Sequence, residues 1–202
     1  MANERYEIRI AGSGGQGVIL ATELIGHAIA LYEEGLYVVQ TQAYGPEARG
    51  GKSKAEVVIS RAPIDYPKVI APNLQVILTQ AAADEYAVDT APGGRIVYDD
   101  FFVTDLPGLD PICGEEHQGH IDARVYTLPI VRTARDTLGK EIVTNMVALG
   151  CAARALDLDK MASPEAFRKA IADHFSHSKK LADLNIEAFN QGYEIFRQTR
   201  LP

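Results

Sequence analysis

Six residues near the start of the chain, Gly12-Ser13-Gly14-Gly15-Gln16-Gly17, fit the pattern G-x-G-x-x-G. Glycine lets a backbone turn tightly and approach a ligand with no Cβ in the way. The pattern follows a run that reads as a strand and opens one that reads as a helix, and that context gives it meaning. Free amide N–H groups at a helix start, with the helix dipole behind them, favour a phosphate or pyrophosphate. Four glycines in six residues exceed what a plain strand-to-helix turn requires.

A second glycine-bearing segment, Gln40-Thr41-Gln42-Ala43-Tyr44-Gly45-Pro46-Glu47-Ala48-Arg49-Gly50-Gly51-Lys52-Ser53, follows the next strand signal. In an open α/β sheet, loops at the C-terminal ends of strands share one edge, where ligands bind. The two loops are therefore expected to converge there, the second bringing Arg49, Lys52 and Lys54. Arg grips phosphate in two-pronged fashion and Lys adds a point charge. Gly45 to Ser53 is close to a P-loop, but Gly51 stands where the Lys should be, and a β-rich run follows where a helix is needed. ATP or GTP hydrolysis is thereby rejected. A nicotinamide site would want an acid ending the second strand to hold the ribose; here that strand runs into Gln40-Thr41-Gln42, with Glu33 and Glu34 at its wrong end.

Other clusters carry less. Cys113, His117 and His120 have a C-x3-H-x2-H spacing but no fourth ligand nearby, so an exposed loop is the better reading than zinc. His174 and His177 read as surface residues, and Cys151, among Gly150, Ala152 and Ala153, as a small core residue. Nothing nearby supports nucleophilic catalysis. No catalytic or metal-binding residue is assigned. Two cysteines are too few for an iron–sulfur cluster, which takes about four thiolates.

The elements that must position the loops alternate. Strands are expected at Tyr6 to Ala11, Leu36 to Val39, Ala55 to Ser60, Leu74 to Thr79, Arg95 to Tyr98 and Val125 to Leu128. Helices are expected from Gln16 to Leu31, with Leu20, Leu24, Ala28 and Leu31 on one stripe, and from Gln80 to about Val88. Further helices are expected over Thr144 to Leu156, after the Ser163-Pro164-Glu165 start signal, and from about Lys179 to Arg197. Gly150 with its alanine neighbours permits close helix packing, inside the domain or against a partner. The pattern predicts an α/β fold of three layers: a parallel or mixed twisted sheet with helices on both faces and a C-terminal helical segment. At 202 residues the chain suits a single domain, 1–202.

The net charge of −7 is unevenly placed: from Asp84 to Asp122 stand ten acids and one base, Arg95, so that segment carries −9 and the remainder +2. Phosphate backbones want a basic face, so nucleic acid is not the expected partner. The acidic stretch reads as a solvated edge or a docking face for a basic partner. No apolar run approaches the ~18 residues of a membrane helix, no secretion signal opens the chain, and a cytoplasmic protein is expected.

The residues also resemble a known family. Gly12 to Val18 (G-x-G-G-Q-G-V) and Gln40 to Gly51 are similar to signatures of the gamma subunit of 2-oxoacid:ferredoxin oxidoreductases. So are Ala55-Glu56-Val57-Val58-Ile59-Ser60, Ile64-Asp65-Tyr66-Pro67 and Asn185-x-x-Ala188-x-x-x-Gly192-Tyr193. The Tyr44-Gly45-Pro46-Glu47 form resembles the 2-oxoglutarate branch most. The resemblance implies a subunit of a complex that decarboxylates a 2-oxoacid, passes electrons to ferredoxin and releases acyl-CoA. Alpha and beta partners would carry the thiamine diphosphate and a cluster-bearing subunit or domain the iron–sulfur clusters, with a ferredoxin-like delta subunit as a further candidate partner, and this chain would contribute to coenzyme A binding. Carried over by position, the cofactor-binding residues are Gly12, Ser13, Gly14, Gly15, Gln16, Gly17, Tyr44, Arg49, Gly50 and Gly51, with Ser13 and Gln16 as side-chain donors. Two alternatives are a free-standing NAD(P)- or FAD-binding reductase and a pure interaction module.

Overall fold

The computed structural model describes residues 5–42, 52–108 and 122–199. Among these residues six strands form one mixed sheet in the order β2-β3-β1-β4-β5-β6. They are β1 (Arg5–Ser13), β2 (Tyr37–Gln42), β3 (Lys52–Ser60), β4 (Leu74–Ile77), β5 (Gly94–Asp99) and β6 (Ala123–Leu128). β3 alone runs against its neighbours: it is antiparallel to both β1 and β2, whereas β1, β4, β5 and β6 pair in parallel. Five strands therefore end at one edge, and β3 begins there.

Among the described residues six helices cover the sheet: α1 (Val18–Tyr32), α2 (Gln80–Tyr86), the single turn α3 (Ile130–Arg132), α4 (Thr144–Leu158), α5 (Pro164–His174) and α6 (Lys179–Gln198). The two faces are unequally covered. Ile8 and Ile10 of β1 join Val57, Leu74, Val97 and the apolar sides of α1, α4, α5 and α6 in the larger core. The opposite face packs Ala11, Ile77 and Ile96 under α2, with Val103 and Leu106 of the following loop. Polar residues of β1 on this thinner side are paired: Arg9 is 4 % exposed and bonds Glu56 and Asp89, each at 2.7 Å, and lies over the Tyr86 ring. Glu7 accepts from the backbone N–H groups of Ile70 and Ala71 at 2.7 and 2.8 Å, tying the crossing segment to the strand.

The expected elements form close to their expected bounds. α2 stops at Tyr86 and tightens into a 3-10 turn over Ala87–Asp89, and the second strand runs on to Gln42 rather than ending at Val39. Of the stripe expected on α1, Leu24 and Ala28 are buried and Leu31 is 64 % exposed; Ala21, Ile25 and Ile29 complete the buried side. The acidic stretch is only partly a solvated edge. Asp99 is fully buried, Asp89 pairs with Arg9, and Glu85 pairs with Lys52 at 2.6 Å. Cys113, His117 and His120 lie outside the described residues.

Small residues set the spacing of α4 against α6. A Cβ on Gly150 would collide with the Phe189 carbonyl oxygen, and one on Gly192 with the Val147 carbonyl oxygen. Cys151 is fully buried at this contact and its thiol donates to the Gly192 carbonyl at 3.3 Å, so the small stripe is used within the chain. At the other end of α4, Asp159 receives the Tyr6 hydroxyl at 2.7 Å and pairs with Arg95, itself 5 % exposed, pinning the helix to the sheet. Gly192→Ala should lower stability by about 3 kcal/mol, a fall of roughly 6–12 °C in thermal unfolding. Gly93→Ala, at φ +71° but facing open space, should cost only about 1–2 kcal/mol.

Candidate functional site

The first glycine segment is the handover from β1 to α1. β1 ends at Ser13, and Gly17, at φ 70°, caps α1 from the left-handed region. Gly15 stands at φ 91°, a conformation that a Cβ would strain. The turn is closed from inside. The Ser13 backbone N–H donates to Gln16 Oε1 at 2.7 Å, and the Gln16 N–H returns to the Ser13 carbonyl at 3.2 Å. Two of its glycines are required by neighbours: a Cβ on Gly17 would sit 2.5 Å from Asn145 Nδ2, and one on Gly12 would meet Gln16 Oε1 and Leu78. Asn145 Nδ2 also donates to the Gly17 carbonyl at 3.4 Å.

Gly14 and Gly15 differ from these. Nothing lies within 4 Å of where their Cβ atoms would be, and both are exposed. Backbone conformation accounts for Gly15, but neither packing nor a left-handed φ accounts for Gly14; close approach by something outside the chain would. Behind them α1 has no side-chain cap and no acid in its first turn, whereas α2, α5 and α6 are capped by Thr79, Ser163 and Ser178. Uncapped first-turn amides and the dipole of a four-turn helix make a site for negative charge.

A cleft of about 280 Å³ opens beside this turn, between Gly15 and Gln16 on one wall and Val131, Glu141, Ile142 and Thr144 on the other. Its second wall depends on Asp99, at the end of β5. One carboxylate oxygen accepts from the Val131 N–H at 2.8 Å, the other from the Phe101 and Phe102 N–H groups at 3.1 and 2.9 Å. Burial pushes this carboxyl above the usual range, against the pull of the three amide donors.

The six glycine-turn residues are thus brought together as expected. Gln16, expected as a side-chain donor, spends its carbonyl on the Ser13 amide and acts first as the staple of the turn. Tyr44, Arg49, Gly50 and Gly51 lie outside the described residues. The ends of their loop are described, and the register sets Lys52 opposite Ser13 and Ser53 opposite Gly12. Lys52 is paired with Glu85, and Lys54 lies over the Tyr86 ring at 4.9 Å. Sequence reasoning missed Asp99, Val131, Glu141, Ile142, Thr144 and Asn145. Of these only Asn145, a polar residue opening a run of small apolar ones, carried a local signal. Among the described residues no three His, Cys, Asp or Glu groups are placed to hold a metal ion.

A dinucleotide site of the usual doubly wound kind is disfavoured by the topology. There the second strand lies directly beside the first; here antiparallel β3 stands between them.

Comparison with known proteins places these features in a family context. The sequence profile of the pyruvate ferredoxin/flavodoxin oxidoreductase family matches residues 7–195. The 2-oxoglutarate synthase subunit KorC of Methanocaldococcus jannaschii is 43 % identical over 96 % of this chain and 95 % of its own length. The subunit of that name from Methanothermobacter thermautotrophicus is 41 % identical over 98 % of both. The crystal structure of the gamma subunit of a keto/oxoacid ferredoxin oxidoreductase from Geobacter sulfurreducens superposes with a TM-score of 0.77 at 36 % identity, covering 96 % of this chain and 99 % of that one. The fold also matches, with a TM-score of 0.77 and 20 % identity, 32 % of a longer chain, the 2-oxoglutarate:ferredoxin oxidoreductase of Magnetococcus marinus, solved with 2-oxoglutarate, coenzyme A and succinyl-CoA bound.

If Asn145 holds the turn, Asn145→Ala should cost about 1 kcal/mol of global stability but expose residues 13–17 locally. Hydrogen exchange should then quicken at least tenfold there and stay unchanged in β4 and β5.

Proposed function

This chain belongs to the pyruvate ferredoxin/flavodoxin oxidoreductase family, and on that premise we propose that it is the gamma subunit of a 2-oxoglutarate:ferredoxin oxidoreductase and contributes to binding coenzyme A. Relatives at 40–43 % identity are 2-oxoglutarate synthase subunits, which favours the 2-oxoglutarate branch over pyruvate or ketoisovalerate. The whole chain, 1–202, serves as one gamma domain of the cytoplasmic complex; no described helix is long and apolar enough to cross a membrane.

The observation that carries the coenzyme A reading is the pair of unobstructed positions at Gly14 and Gly15 before an uncapped helix. A diphosphate bridge fits such a turn: its oxygens take backbone N–H groups that would otherwise face water, and the helix dipole favours its charge. Gln16 would add its amide NH2 and Ser13 its hydroxyl. Tyr44, Arg49, Gly50 and Gly51, carried over by position, would be further contacts to the ligand; the strands on either side of them end and begin at the same edge. Thiamine diphosphate on the alpha and beta partners and iron–sulfur clusters on a cluster-bearing partner subunit or domain, with ferredoxin as acceptor, supply the decarboxylation and the electron path. A separate ferredoxin-like delta subunit would be a further partner. Cys151 is buried, and burial pushes its thiol strongly towards the protonated form.

Gly15→Val in the assembled complex tests this reading. It places a branched side chain where the diphosphate should lie, at a φ that disfavours it. The KM for coenzyme A should rise at least tenfold while the subunits still co-elute and the KM for 2-oxoglutarate is unchanged. An assembled variant with an unaltered KM for coenzyme A contradicts the proposal, and one that fails to assemble supports the interaction-module alternative.

A further inference from the structure

The far wall of the cleft continues into a cationic, aromatic platform that the diphosphate does not use. Val131 lines the cleft, and the next residue, Arg132, holds its guanidinium 5.8 Å from the centre of the Phe101 ring. Arg135, one helical turn on, stacks over the same ring at 4.5 Å. Their side chains are 50 % and 40 % exposed, so both cations are within reach of a ligand. Phe101 is braced edge-on by Phe102, the ring centres 4.8 Å apart. The Asp99 carboxylate that fixes Val131 also fixes the backbone of Phe101 and Phe102. Cleft wall and platform are thereby one rigid piece.

Two guanidiniums meet three carboxylates here, Asp100, Asp136 and Glu141, so it is the N–H groups these pairs leave unused that can receive an anion. Among the described residues Arg132 has one loose ion pair, Nε to Asp100 Oδ1 at 3.5 Å, and its charge also acts on Asp136. Arg135 is held by Asp136 through Nε and one terminal nitrogen, at 2.7 and 3.2 Å. Asp136 and Glu141 both act to keep Arg135 protonated. Glu141, on the cleft wall, is the opposing charge that an incoming anion meets. Guanidinium groups match a phosphate geometrically, and a guanidinium stacked on an aromatic ring offers a flat surface to a purine.

A diphosphate seated on the glycine turn carries its acyl-bearing arm on one side and its nucleoside on the other. In coenzyme A that nucleoside bears a phosphomonoester on the ribose. We propose that Arg132 and Arg135, presented on Phe101, bind this phosphorylated nucleoside end and select coenzyme A over its 3′-dephospho form. This rests on the reading that the glycine turn takes the diphosphate.

The test uses the assembled enzyme, with KM and kcat measured for coenzyme A and for 3′-dephospho-coenzyme A. The unaltered enzyme should prefer coenzyme A by at least tenfold in kcat/KM. In the Arg132→Gln/Arg135→Gln double variant the KM for coenzyme A should rise about tenfold or more, that for the dephospho form should stay within about twofold, and the preference should fall below about threefold. Arg135→Lys alone should keep an intermediate preference. Gly15→Val should weaken both nucleotides alike and leave the preference intact. An unaltered enzyme without preference, or a double variant that keeps it or weakens both nucleotides equally, overturns the platform. If Gly15→Val changes neither KM, the reading of the turn fails separately.

Discussion

The site depends on one constraint: a strand must hand over to a helix while leaving two consecutive residues bare to solvent. The bare pair, Gly14 and Gly15, cannot hold its own shape, because glycine has the widest conformational freedom of any residue. The shape is imposed from both sides. Gln16 folds back on the Ser13 amide, and Gly17 is lodged against Asn145 of α4. The register of β1 against β3 and β4 sets where this turn stands, and the packing of α4 sets the partner that locks it.

That dependence reaches far into the molecule. Asn145 is in place only because α4 is, and α4 is held close to α6 at Gly150 and Gly192, where no side chain fits. Its far end is tied to the sheet by Asp159 with Tyr6 and Arg95. The buried Asp99 plays the same part on the opposite wall, converting one carboxylate into the position of three backbone amides. Breaking such a buried network by removing one partner typically costs about 3–5 kcal/mol, so the walls of the cleft are stiffer than their loop-like sequence suggests.

Much of this was legible in the sequence. The strands showed themselves by alternation, α5 by its Ser163-Pro164-Glu165 start, and the glycine turn by spacing and context. Other features were not, for identifiable reasons. The reversed direction of β3 leaves no local signature, since residues alternate across a strand whichever way it runs. Leu31 has helical spacing with its neighbours, but the core meets the opposite shoulder of α1. Asp99 lay inside an acidic run, and composition alone cannot separate a buried carboxylate that accepts amide hydrogens from solvated ones around it. Val131, Glu141, Ile142 and Thr144 come from a segment whose place beside Gly15 is purely tertiary. The Lys52 and Lys54 charges were visible, but their engagement with Glu85 and Tyr86 was not.

The account turns on the backbone amides of one turn receiving the diphosphate of coenzyme A. Hydrogen exchange of the assembled enzyme with and without saturating coenzyme A reads those amides directly. Exchange across residues 13–19 should slow at least tenfold on binding, with a smaller slowing at 131–144. Unchanged exchange at 13–19, with protection appearing only elsewhere in the complex, would contradict it.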